Sequence, residues 1–255
     1  MMIGLAALLG AAMLLYALLI LPTRWLKIER VNMKLGIGIR ILQISDLHVD
    51  RLRISPAKLA DVIRREKPDY ILLTGDYTYK PQYLAKVDRY LETISEAGVP
   101  VFAVMGNHDY VLPRPRELMD LFRRRGIPML RNSRIELPSF TLVGIDNYST
   151  GHSRPAIAFR GLSRSKPVVV MTHDPNVVLD IRQPYDFLMA GHLHGKQFNV
   201  PYFYSFKPKG PLSLSGIYKG LHRGELGPYY ISKGIGQAGV NARFMVRSEV
   251  TVHDL

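Results

Sequence analysis

Hydrophobic positions along this chain follow two different patterns. Met1 to Leu21 is apolar without interruption and contains no charged residue. Beyond it, short apolar runs alternate with longer stretches of mixed character. The runs Ile39–Ser45, Tyr70–Thr74, Val101–Met105, Phe140–Ile145, Val168–Thr172 and Phe187–Ala190 are β-branched or continuously apolar and predict strands. Ser55-Pro56 is a cap residue followed by proline at the first helical position, which predicts a helix to about Lys67. Helices are also expected near Pro81–Ala97, ended by Gly98, and Pro115–Arg125, ended by Gly126. Strand and helix alternate, so residues 39–255 read as one α/β domain.

The N-terminal run would span about 31 Å as a helix, the thickness of a bilayer's hydrocarbon core. Pro22 and the interfacial residue Trp25 follow it. Next comes a basic stretch of Arg24, Lys27, Arg30, Lys34 and Arg40, opposed only by Glu29. The chain is thus read as an anchor (1–21), a basic juxtamembrane linker (22–38) and a domain (39–255). Positive charge on the C-terminal side places the domain in the cytoplasm, on the inner face of the cytoplasmic membrane, as a single-pass protein. A cleaved signal peptide is the rival reading. It calls for a basic segment before the apolar run and a small-x-small site after it, and the sequence has neither. A buried core helix is the third option.

Composition narrows the partners. Lys and Arg number 34 against 21 Asp and Glu, a net charge of +13, which favours anionic partners. With an apolar N-terminus present, anionic lipid is favoured over nucleic acid. The chain has no cysteine, so a disulfide framework and a thiolate metal site are excluded.

Five of the six predicted strands lead into short motifs rich in ligating side chains. These are Asp46-Leu47-His48, Gly75-Asp76, Gly106-Asn107-His108-Asp109, Thr172-His173 and Gly191-His192-Leu193-His194. Five of the 8 histidines lie in these motifs; His152, His222 and His253 lie outside and read as ordinary polar residues. Carboxylate, imidazole and amide oxygen together suit Mn²⁺, Fe or Zn²⁺. Loops at strand C-termini form the site crevice of open α/β sheets, so ligands distant in sequence can converge there.

In order and content these motifs resemble the calcineurin-like metallophosphoesterase family, over roughly residues 39 to 255. The resemblance implies a four-layer α/β/β/α sandwich with two facing mixed sheets, and a site for two divalent metal ions, Mn²⁺ first. It implies that Asp46, His48 and His194 hold one ion, that Asp76 bridges both, and that Asn107, His173 and His192 complete the second. His108 would face the phosphoryl group and protonate the leaving oxygen, with Asp109 orienting its imidazole. Water attacks directly in that family, and no covalent enzyme intermediate forms.

Gly216–Leu221, Tyr229–Gly236, Arg243-Phe244 and Glu249 are similar to a bacterial branch with YkuE-like, YaeI-like and LpxG-type members. Lys196 stands where that branch usually has glycine after Gly-His-x-His-Gly. The stretch Phe198–Lys209 is aromatic and then basic. It reads either as an interfacial lip for a lipid-linked substrate or as a loop packed on the sheet edge, and Lys196, Lys207 and Lys209 are candidate diphosphate contacts. Arg123-Arg124-Arg125 is either a headgroup contact or a solvated helix end. Three functions stay open. One is a UDP-2,3-diacylglucosamine pyrophosphatase of lipid A biosynthesis. The second is a general metal-dependent phosphodiesterase or phosphatase on another metabolite or envelope component. The third is a non-catalytic binding scaffold.

Overall fold

The computed structural model describes residues 2–200 and 208–255. Among them, two mixed sheets face each other. The first has five strands in the order β1 (Lys27–Asn32), β11 (Glu249–Asp254), β2 (Arg40–Ile44), β3 (Tyr70–Thr74) and β4 (Val101–Val104). The second has six, in the order β5 (Ser133–Glu136), β6 (Thr141–Gly144), β7 (Val168–Met171), β8 (Phe187–Ala190), β10 (Pro228–Ile231) and β9 (Gly220–Arg223). Strands β2, β3 and β4 run parallel, as do β6, β7, β8 and β10.

Period-two alternation builds the layers. Ile41, Leu72, Phe102 and Val104 point between the sheets and meet Phe140, Leu142, Val169, Met171, Phe187 and Met189. Their neighbours Leu42, Ile44, Leu73 and Ala103 point outward, onto α3 (Pro56–Glu66), α4 (Leu84–Ser95) and α5 (Pro115–Arg124). The outer face of the second sheet is covered more thinly, by α6 (Pro155–Ala158), α7 (Pro211–Leu214) and nearby loops. The expected four-layer sandwich is present. Ser55 caps α3 as expected, accepting the Lys58 amide at 3.2 Å.

The structure changes one boundary. Residues 22–38 are not a linker, because they include β1, which lies parallel to β11 from Lys27↔Glu249 to Asn32↔Asp254. Val31 is buried between the sheets, and Leu26 and Ile28 pack against the helix-side core. Of the basic residues that suggested a juxtamembrane stretch, Lys27 and Arg30 belong to this edge strand, Arg24 to the helix before it and Arg40 to β2. Lys27 pairs with Glu29 at 2.6 Å and Arg30 with Glu66 at 2.7 Å. Likewise Arg123 pairs with Asp120, and Arg125 grips both Asp88 oxygens at 2.7 and 2.8 Å. The arginine run is largely a helix end tied into its own surface.

The N-terminal helix is continuous over Met2–Arg24 and none of its apolar window is buried, so it is long and apolar enough to cross a membrane. It contains α1 (Met2–Leu15), a π-turn (Tyr16–Ile20) and α2 (Leu21–Arg24). The π-turn has an identifiable cause. Pro22 cannot donate to the preceding turn, and widening that turn accommodates its ring at the start of α2.

Candidate metal centre

The loops of the site leave the C-terminal ends of β2, β3, β4, β7, β8 and β10, all at one edge of the sandwich. There the ligating atoms of Asp46, His48 and His194 lie within 4.8 Å of one another, as do those of Asp76, His173 and His192. Asp76 joins the groups. Its Oδ2 is 3.4 Å from His48 Nε2 and 3.2 Å from His173 Nε2. Asn107 Oδ1 lies 3.2 Å from the same His173 nitrogen. The structure therefore brings together all seven residues expected to hold metal.

Their backbone is unusual. Asp46, His48, Asp76, His192 and His194 have φ of 55, 39, 60, 72 and 50°, a left-handed region that non-glycine residues seldom occupy. Such strain persists only where surrounding bonds enforce it. Asp46 Oδ2 accepts from Ser45 Oγ at 2.6 Å and from the His192 amide at 3.2 Å. His173 Nδ1 lies 2.8 Å from the Thr74 carbonyl, so that nitrogen carries a proton and Nε2 is turned toward Asp76. Two glycines make the approach possible: a Cβ at Gly106 would overlap Asp76 Oδ1, and one at Gly191 would overlap Ser45 Oγ.

Asp109 does something other than the expected task. Its carboxylate accepts the amides of Asp76 at 2.9 Å, Tyr77 at 2.7 Å and Gly106 at 2.8 Å. It ties the β3 loop to the β4 loop, with its oxygens committed to backbone rather than to the His108 ring. Burial, reinforced by the Asp76 charge, pushes its carboxyl up to about 7. His108 is half-buried and sits edge-on to His48, with ring centroids 4.8 Å apart. Burial lowers its imidazole pKa against the pull of Asp76. Its other ring neighbour is Tyr79 at 5.4 Å, whose hydroxyl accepts from Arg51 at 3.0 Å. Burial also opposes the charge on Asp76, yet His173 and His48 hold its carboxyl well below the usual range.

Several contributors were missed or left without a role by sequence reasoning. Arg243 is fully buried, and its guanidinium donates to the carbonyls of Lys233 and Gly234, both at 2.9 Å, and of Gly236. That loop in turn holds the first motif, with the Gly236 amide donating to the Asp46 carbonyl at 2.8 Å. Arg243 and Glu249 are motif residues in the sequence, but nothing there told which backbone they would meet. Glu249 is buried and accepts from Tyr230 Oη at 2.7 Å while pairing with Lys233. Asp174 is another, its Oδ2 lying 3.9 Å from His192 Nε2. Of the candidate basic residues, Lys209 Nζ donates to the His192 carbonyl at 2.9 Å, and Lys196 Nζ lies 4.3 Å from the centre of the Tyr218 ring. Lys207, with the rest of 201–207, falls outside the described residues.

The donor set fits cations. Among the described residues, Asp46 Oδ1 and both ring nitrogens of His48 and of His194 are buried without a well-directed hydrogen bond, with His194 Nε2 3.1 Å from Asp46 Oδ1 and His48 Nε2 3.4 Å from Asp76 Oδ2. Buried lone pairs without donors are costly unless a cation satisfies them. Comparison with known proteins agrees with this geometry. Residues 39–196 match the family model described as calcineurin-like phosphoesterase. The chain belongs to the calcineurin-like phosphoesterase family. It is 35% identical to the metallophosphoesterase YkoQ of Bacillus subtilis, over 85% of this chain and 83% of that one. It is 29% identical to the phosphodiesterase YaeI of Escherichia coli, over 85% and 82%. It is 22% identical to the UDP-2,3-diacylglucosamine pyrophosphatase LpxG of Chlamydia trachomatis, over 74% and 72%. As a member of this family the protein is a metal-dependent hydrolase of phosphoesters, and the scaffold reading falls away.

Proposed function

We propose that this phosphoesterase is anchored in the cytoplasmic membrane by Met2–Arg24, faces the cytoplasm, and hydrolyses the diphosphate of UDP-2,3-diacylglucosamine to UMP and the acylated sugar phosphate. The observation that carries the reading is the position of the apolar helix. Its Leu19 carbonyl accepts the amide of Arg243, the residue whose guanidinium backs the loop behind Asp46. An acylated substrate resting in the same membrane would thus meet the metal centre near the surface. The kinship with LpxG supports the same substrate class.

Asp46, His48 and His194 would hold one divalent ion and Asn107, His173 and His192 the other, with Asp76 between them and Mn²⁺ the first choice for this donor set. Two such ions supply Lewis acidity toward a phosphoryl oxygen and acidify water. His108, half-buried at the rim, donates a proton to the leaving oxygen. Burial lowers its pKa against the pull of Asp76, and a phosphate anion beside the ring would favour its acid form. Lys209 adds positive charge beside His192.

The test is turnover by the detergent-solubilised, Mn²⁺-loaded protein on UDP-2,3-diacylglucosamine beside an aryl phosphodiester. Cleavage of both is expected. Activity on the diester with an untouched lipid nucleotide would replace this reading with the second one, a general phosphodiesterase, to which the YaeI kinship points. A reporter fused after Leu255 should remain cytoplasmic, and a periplasmic signal would reverse the orientation.

A further inference from the structure

The helix end is held firmly by the domain. Besides the bond from the Arg243 amide to the Leu19 carbonyl at 2.9 Å, the Ser248 amide donates to the Pro22 carbonyl at 3.0 Å. Arg53 Nη1 donates to Thr23 Oγ1 at 3.1 Å and to the Asn241 carbonyl at 2.9 Å, and Thr23 is fully buried. The helix axis therefore fixes which face of the domain meets whatever the helix is embedded in.

That face is apolar. The loop that grips the helix end, residues 237–247, leaves Val240 63% and Met245 70% exposed. Met245 also has φ of 55°, a strained setting for a side chain that adds nothing to the domain's own core. The Asn199 amide donates to the Phe244 carbonyl at 3.1 Å, which brings the half-exposed Val200 alongside. Trp25 leaves the helix 57% exposed, with the Arg247 guanidinium 3.8 Å over its ring.

We propose that Trp25, Val200, Val240, Met245 and Arg247 form a second membrane contact, seated in the interfacial layer of the bilayer that the helix crosses. The inference rests on reading Met2–Arg24 as a span. Tryptophan favours the headgroup level, apolar side chains enter the acyl boundary, and arginine pairs with lipid phosphate. Continuity with the helix selects lipid over a soluble partner, because any partner here would have to share the space with the bilayer. The same loop reaches the metal centre. Gln197, three residues after His194, donates to the Ala238 and Val240 carbonyls at 2.9 and 2.7 Å. The contact thereby sets Asp46 and His194 close to the membrane surface. That placement selects phosphoesters whose apolar part stays in the bilayer.

The absence of cysteine makes the test unambiguous. The full chain carrying Val240→Cys or Met245→Cys is labelled with an environment-sensitive fluorophore. It is reconstituted in phosphatidylcholine–phosphatidylglycerol vesicles containing nitroxide lipids. Leu9→Cys reports the span. Ile157→Cys reports the aqueous face, since α6 lies beside β5, at the edge of the second sheet away from β10, whose Tyr230 meets Glu249 next to β1 and the helix end. Shallow nitroxides should quench positions 240 and 245 several-fold more than 157, and deep nitroxides should quench position 9. Quenching at 9 with 240 and 245 indistinguishable from 157 overturns this inference and spares the span. No quenching at 9 overturns the span, and this inference with it.

Discussion

The Asp109 carboxylate accepts the backbone amide of Asp76 at 2.9 Å, so one buried acid sets the conformation of the residue expected to bridge two cations. The amides of Tyr77 and Gly106 depend on the same group. Asp109→Asn turns one acceptor into a donor facing those amides. Each buried group left unpaired costs about 1–3 kcal/mol, so a stability loss of roughly 2 kcal/mol or more is expected. Cation affinity should fall with it, and turnover should recover at saturating metal. Denaturant unfolding and calorimetric metal titration check this. A turnover defect with unchanged stability and affinity would return Asp109 to the role of orienting His108.

Asp76→Asn tests the bridge itself. One charge is shared between His48 on one side and His173 on the other. Its loss should lower occupancy of both metal positions and abolish hydrolysis, with the fold retained. Metal content and turnover are measured on the same sample. Full occupancy with near-normal turnover would show that Asp76 is not the link.

His108→Gln should keep both metals but lower turnover by about 10²–10⁴, the usual effect of removing a general acid. The defect should shrink on aryl esters with good leaving groups, which need less protonation. Equal losses on activated and unactivated esters would argue against proton donation.

Much of this was legible because strand and ligand are adjacent in sequence. Ile41 to Ile44 leads directly to Asp46, and Phe187 to Ala190 leads to His192, so a reading of apolar runs also orders the ligands. The long-range partners were not legible. Asp109 follows His108 immediately, and adjacency suggested a pair, whereas the 3₁₀ turn begun at Asp109 turns its carboxylate onto amides of another loop. Strand β1 was hidden because its sequence, Lys-Ile-Glu-Arg-Val-Asn, carries the charges of an edge strand, and its pairing partner β11 lies at the far end of the chain. His253 looked like an ordinary polar residue and is instead fully buried between the sheets, against Phe187 and Tyr230.

His253 gives the fold a pH dependence of its own. Its Nε2 lies 3.0 Å from Gln43 Oε1, and Gln43 Nε2 donates to the Ala190 carbonyl of the other sheet at 2.9 Å, so a neutral imidazole is part of an inter-sheet bridge. The tautomer follows from that network: Nε2 carries the proton, and Nδ1 is buried without a partner. Burial lowers the pKa from 6.5 to about 3, with Asp254 opposing the shift. A depressed value means that the unfolded chain binds the proton more readily. The stability from this residue is therefore fully present above about 6.5 and is lost as pH falls toward 3, by at most about 1.4 kcal/mol per pH unit. His253→Gln retains a donor for Gln43 but does not titrate. Urea unfolding of both proteins between pH 7 and about 4 should give curves that converge as the pH falls, with wild type losing stability faster. Parallel curves would mean that His253 takes up no proton on unfolding in this window and that its bridge to Gln43 plays no part in acid sensitivity.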